Sequence, residues 1–190
     1  MARWEPNAGV RLVRAAIDLF AEQGYDSTTV NQIAQRAGLT KTTFFRHFRD
    51  KREVLFAGQE IHAQLLAGGI AAAPAPATPV EAVAAGLDAL TASFTQEQRD
   101  FGPRLLAVVA DNPELQERSA YKHAVLVSAM TAALRERGVP ELTAVLAAEM
   151  GGRAFHHAYA QWADPSVSES LPALARRSLA ELQAAAAALA

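Results

Sequence analysis

The chain has 190 residues, 51% of them apolar and 20% charged, with no cysteine and a formal net charge of −2. That composition can bury a core, lies outside the disordered class, and excludes disulfides and thiolate metal sites. The charge is uneven: nine Lys/Arg face five Asp/Glu in residues 1–52, and nine face fifteen in residues 53–190, which gives +4 and −6. A basic head attracts phosphates, and an acidic body is repelled by them. No apolar run approaches the ~20 residues that span a bilayer. Residues 1–6 carry charge and a Trp but no apolar leader core. A cytoplasmic protein without a membrane partner is the expectation.

Strand signals are nearly absent, and helical periodicity recurs along the chain. The first helix is predicted from about Asn7 to Gln23, with Leu12, Val13, Ala16, Ile17 and Phe20 on one face and Arg11, Arg14, Asp18 and Glu22 opposite. Gly24 stops it. Thr28 or Thr29 caps a second helix that buries Val30, Ile33, Ala34 and Ala37. Gly38 ends that helix, and Thr40 caps a short third. Asp50 and Glu53 form a capping-box pattern predicted to open a fourth helix running to about Leu66. Residues 71–79 alternate Ala with Pro and read as the clearest linker. Thr78, Pro79 and Glu81 carry the cap, the first-position Pro and the third-position Glu of the next helix. Further helices are predicted from about Asp100 to Ala110, Pro113 to Arg137, Pro140 to Trp162, and Ser168 to near the end. The fold class is all-α with about nine helices. The division is a helix-turn-helix head at 1–52 and a helical body at 53–190.

Two short helices joined by Ala37, Gly38, Leu39 and Thr40 meet the needs of a helix-turn-helix. The turn requires a residue tolerant of positive φ, and Gly38 supplies it. Leu39, Phe44 and Phe48 point inward, so Lys41, Thr42, Phe45 and Arg46 point outward. Short hydroxyls, two long cations and an aromatic suit base edges and phosphates. On pattern alone, an ordinary helical hairpin with a solvated basic face fits as well.

Residues 9–56 resemble the DNA-binding domain of the TetR family of transcriptional regulators, on the string AAIDLFAEQGYDSTTVNQIAQRAGLTKTTFFRHFRDKREVLF at residues 15–56. The Leu-Phe and Gly-Tyr pairs, Thr-Thr-Val, Ile-Ala, Ala-Gly-Leu-Thr, Phe-Phe-x-His-Phe and Lys-x-x-Leu stand at that family's spacings. The resemblance covers about a quarter of the chain. It implies that Thr29 and Asn31 meet the phosphate backbone and that Lys41, Thr42 and Thr43 face bases, with Thr40 at the helix start. Phe45, Arg46 and His47 would contact backbone or groove edge, and Lys51 another phosphate. His47 has a local packing or capping alternative. The family usually carries Tyr where this chain has Phe45, so a hydroxyl contact to phosphate is replaced by an apolar one.

The same resemblance implies a C-terminal domain that binds a small-molecule effector and forms a homodimer on a pseudo-palindromic double-stranded operator. The stretch from Asn112 to Arg118 and the string LRERGVPELTAVLAAEMGGRAF are similar to members grouped with acyl-CoA-like ligand binders. Phe94, Phe101, Arg104, Tyr121, Met130, His157 and Tyr159 are candidate pocket residues, each with core packing as the plain alternative. Arg104 meets an anionic head or reaches for water. Gly151 and Gly152 inside a long helix point to close approach of another helix. Together with Leu171, Leu174, Leu182 and Leu189 they are candidate dimer residues. His156 and His157 diverge by ~100° on a helix, so no metal site is expected. No catalytic constellation and no cofactor motif is found. The expected function is a non-enzymatic DNA-binding regulator, a repressor released by a largely apolar ligand. The alternative is a helical carrier or an enzyme without DNA binding.

Overall fold

The computed structural model describes residues 7–56 and 58–189; residues 1–6, read above for a leader, lie outside them. The described residues are all-helical: α1 (Ala8–Gln23), α2 (Val30–Arg36), α3 (Lys41–His47), a 3-10 turn at Glu53–Phe56, then α4 (Gln59–Ala72), α5 (Pro79–Thr91), α6 (Gln96–Ala110), α7 (Pro113–Glu136), α8 (Glu141–Ala163) and α9 (Leu171–Ala187). They form two compact units. Residues 7–56 group with 103–119, and residues 58–102 with 120–189. The units are therefore drawn differently from the sequence division at 52 and 53.

The first unit is built on the apolar stripe of α1. Leu12, Ala16 and Ile17 are fully buried, with Ile33 of α2 and Phe44 of α3. Removing a ring as enclosed as Phe44 costs about 3–5 kcal/mol. Val54, Leu55 and Phe56 of the 3-10 turn are buried too. Asp50 does act as a cap: its Oδ1 accepts from the backbone N–H of Arg52 at 2.8 Å and of Glu53 at 3.0 Å. Yet the expected fourth helix does not run on from there. Gly58 takes a left-handed φ of 80°, and α4 starts only at Gln59. Lys51 therefore does not open a helix. Arg118 closes this unit's later segment through Glu53 at 2.7 Å.

In the second unit, α4 and α5 form a hairpin at near-backbone contact. A Cβ at Gly69 would lie 2.6 Å from the Ala85 carbonyl oxygen, and one at Gly86 would lie 2.8 Å from that of Leu66. The stretch read as a linker is the turn of this hairpin. Arg137 donates to the carbonyls of Ala73 and Pro74, both at 2.8 Å, and fixes it. Thr78 and Glu81 cap α5 reciprocally, as the sequence predicts. Helix α6 begins four residues before the expected Asp100. Thr95 and Gln98 make another reciprocal cap, which leaves Pro103 inside the helix instead of in its first turn. The core of this unit is Leu87, Leu90, Met130, Leu134, Ala148, Leu171 and Leu174, contributed by α5, α7, α8 and α9.

Candidate nucleic-acid interface

The turn between α2 and α3 starts from Ala34, whose carbonyl accepts the Leu39 N–H at 2.8 Å. Gly38 stands at φ 68°, where an L side chain is strained. The Arg11 guanidinium donates to the Ala37 carbonyl and leaves a Cβ at Gly38 only 2.8 Å from Nη2. The turn is thus locked from α1. Arg36 and Glu22 add a bidentate pair at 3.0 and 2.7 Å between α2 and α1.

Helix α3 buries Phe44 and exposes Lys41, Thr42, Phe45, Arg46 and His47. The Phe45 ring is 50% exposed and rests edge-on against Phe44, centroids 5.5 Å apart. Lys41 Nζ lies 5.9 Å from the Phe45 centroid. Neither Lys41 nor Arg46 has a carboxylate partner among the described residues, so the face keeps its positive charge. Thr40 Oγ1 accepts from the Thr43 N–H at 3.1 Å and lies 2.9 Å from Thr43 Oγ1, so both hydroxyls serve the helix start. Thr29 caps α2 in the same way, with Gln32 Oε1 accepting from its N–H at 2.8 Å and its hydroxyl at 2.9 Å. Asn31 is exposed beside it. His47 lies beside Phe48, ring centroids 6.1 Å apart. Lys51 differs from the phosphate-facing expectation. Its ammonium donates to the carbonyls of Tyr25 at 2.7 Å and Thr28 at 3.3 Å, and sits 4.0 Å from the Tyr25 ring centroid. It is spent on the loop between α1 and α2.

The model of the family described as bacterial regulatory proteins, tetR family, matches residues 12–57. That segment, about a quarter of the chain, is what is similar to the TetR family. A relative in Streptomyces glaucescens, the HTH-type transcriptional regulator TcmR, is 35% identical over 80 residues, 42% of this chain and 35% of its own length. The class A tetracycline repressor from transposon 1721, in Escherichia coli, is 39% identical over 55 residues, 29% of this chain and 24% of its own. The matched part is thus about a third of the one relative and a quarter of the other. The fatty acid degradation regulator FadR from Bacillus halodurans is 19% identical and matches over 95% of this chain and 96% of its own, with a TM-score of 0.57. That likeness shows a shared fold that extends beyond residues 12–57. The similar proteins are regulators and not enzymes.

The candidate pocket residues do not converge. Arg104 is exposed and pairs with Asp18 at 2.6 Å, both in the first unit, so it meets a carboxylate of its own chain in place of a ligand head. Tyr121 is 56% exposed, and Met130 is core. His157 lies at the surface within reach of Gln161 and Ser178. Phe101 is half-buried on α6. Phe94 and Tyr159 do meet, 5.9 Å apart, inside a ring cluster that also holds Phe155 and Trp162. The spacing of residues 155, 159 and 162 puts three aromatics on one face of α8, a signal present in the sequence. Phe94 and Trp162 also line an open cleft of about 410 Å³ with Thr91 and Arg99.

The glycine reading of the dimer is corrected. A Cβ at Gly151 would lie 2.5 Å from Val83 Cγ1, and one at Gly152 would lie 2.7 Å from His123 Cε1. These glycines admit α5 and α7 of the same chain. Leu171 and Leu174 are buried in that same core, and Leu182 packs against it. Leu189 is exposed. The large exposed apolar side chains of α8 are Leu142 at 72% and Leu146 at 57%. No helix of the described residues is long and apolar enough to cross a membrane, and no three His, Cys, Asp or Glu among them could hold a metal.

Proposed function

We propose that this chain is a DNA-binding transcriptional regulator, a repressor released from its operator by a small, largely apolar ligand. The carrying observation is the outer face of α3, where Lys41, Thr42, Phe45 and Arg46 are exposed and the two cations have no carboxylate partner among the described residues. Side chains of that kind on the second helix of a helix-turn-helix read base edges in a major groove. Thr29 and Asn31 at the start of α2 meet phosphate, as Arg46 and His47 do. TcmR and the tetracycline repressor, similar over this segment, bear regulator and repressor names. The effector binds in the second unit, which holds the cleft and the ring cluster. The protein acts as a homodimer through α8 and α9, with Leu142 and Leu146 at the contact.

The test is fluorescence anisotropy with the DNA upstream of the protein's own gene. Specific binding at nanomolar concentration is expected. Lys41→Ala or Thr42→Ala changes the preferred sequence, because those side chains face bases. Binding that is equal on random DNA for the wild type ends this reading.

A further inference from the structure

Helix α4 buries two hydrogen-bonding atoms without a partner among the described residues, Gln59 Oε1 and His62 Nδ1. The residues are three apart and share one helix face. Buried polar atoms are normally satisfied, and a pair left open on one face is uncommon. The His62 ring stacks on Phe94, with centroids 5.3 Å apart and planes 27° from parallel. Phe94 is in turn ringed by Phe155, Tyr159 and Trp162, each within 5.9 Å. It belongs to neither α5 nor α6 but to their short connection, and on its other side it lines the open cleft. One ring of that connection therefore lies between the open cleft and the aromatic cluster, and the α4 face it covers at His62 carries the two open polar atoms.

We propose that this enclosure is a ligand site for an uncharged aromatic molecule carrying a hydrogen-bond donor such as a phenolic hydroxyl. The ligand ring replaces Phe94 against His62, and Phe94 turns into the cleft. The inference deepens the ligand-responsive reading above and rests on it. Each chemical feature of the ligand follows from one wall. Gln59 Oε1 only accepts, so it needs a donor. His62 Nδ1 accepts in the tautomer that carries its proton on Nε2. The imidazole is neutral near pH 7, because burial, aided by the charge of Lys122 on α7, pushes its pKa down to about 4. An anion would face an acceptor oxygen and a neutral ring, neither of which donates to it, and the one cation whose charge reaches His62, Lys122, has an interaction of its own. The guanidinium beside the cleft cannot serve it, since Arg99 is committed to the carbonyls of Trp162 and Val167. Flat rings at stacking and edge-to-face distances favour an aromatic body.

The experiment is calorimetric titration of the full chain with three probes: 1-naphthol, naphthalene and 1-naphthoate. Naphthol is expected to bind at least about tenfold tighter than either of the others, which is roughly 1.4 kcal/mol. The double variant Gln59→Leu/His62→Phe is expected to bind naphthol and naphthalene alike. Phe94→Ala is expected to bind both more tightly, because the space is already open. His62→Asn keeps an acceptor oxygen near the Nδ1 position and is expected to retain the naphthol preference; it serves where the double variant fails to fold by circular dichroism. Equal binding of naphthol and naphthalene by the wild type overturns the site, as does a preference for naphthoate or a preference that survives in the folded double variant. Release of operator DNA by saturating naphthol is a separate measurement on the wild type. Naphthol bound without release counts against the ligand-responsive reading and leaves the site standing.

Discussion

Lys51 and His62 each show a charge-bearing side chain whose role follows from what it touches. The Lys51 ammonium holds two carbonyls and a ring face in the loop between α1 and α2. Such contacts contribute on the order of 1–3 kcal/mol together. Lys51→Ala is therefore expected to lower the melting temperature by several degrees, and the loss is read by thermal denaturation without DNA. An unchanged melting temperature would return Lys51 to a purely phosphate-facing role. His62 has the opposite character, a base kept uncharged. Its folded pKa is about 4, below the ordinary 6.5, chiefly through burial. The unfolded chain binds a proton below pH 6.5 that the folded chain refuses until about pH 4. Stability is thus full above pH 6.5 and falls as the pH drops through that window. His156 is lowered as well, by burial first and then by His123, Arg153 and His157, so the wild type carries both contributions. The expected result is a smaller loss of unfolding free energy between pH 7 and pH 4.5 in His62→Phe than in the wild type, measured by urea denaturation at each pH.

At the scale of elements, local chemistry was legible wherever it was self-contained. Thr78 with Glu81, Thr29 (one of the two caps the sequence offers for α2) and Thr40 all cap helices where they are expected, and Gln32 joins Thr29 as a partner the sequence reading missed. The positive φ of Gly38 follows from the turn it must make. What the sequence hides is which partner fills a face. The pair Gly151 and Gly152 announces a close approach, but only the fold says that α5 and α7 of the same chain make it. Likewise Asp50 announces a cap, while the left-handed Gly58 a few residues on limits it to a 3-10 turn. The outward face of α3 was readable because Phe44 fixes its inner side. The ring cluster in the second unit was not, because Phe94 and His62 come from separate elements. The glycine assignment has a direct test. Gly151→Leu forces a side chain against Val83 and Met130, and overpacking of this kind costs about 1–3 kcal/mol or more. The expected outcome is a lower unfolding midpoint in urea. Dissociation at an unchanged midpoint would put the glycine back at a subunit contact.

On the scale of the whole molecule, charge and association are linked through salt. Each α3 face brings Lys41 and Arg46, and Arg49 stands exposed just beyond it. Lys51 is left out of the count, since its ammonium is engaged. Arg46 and Arg49 meet phosphates, and Lys41, though it faces bases, brings its charge into the groove between the phosphate rows; three cations per subunit offset roughly six phosphate charges in the proposed dimer, so log K falls against log salt with a slope of about −5. In the proposed two-fold dimer, reading successive major grooves would set the half-sites roughly 34 Å apart and make the operator a pseudo-palindrome. The proposed contact runs through the exposed Leu142 and Leu146 of α8, so Leu142→Glu/Leu146→Glu places four carboxylates in the seam of a dimer. Both positions are exposed in the single chain, and the helix tolerates Glu, so folding is expected to survive. Sedimentation at micromolar concentration should then show a monomer, circular dichroism an unchanged helix content, and the salt slope should halve to about −2 to −3. Specific affinity should drop by orders of magnitude while the residual sequence preference of a half-site remains. A dimer that persists in this variant moves the interface away from α8. A monomer whose salt slope stays near −5 refutes the count of three cations per head.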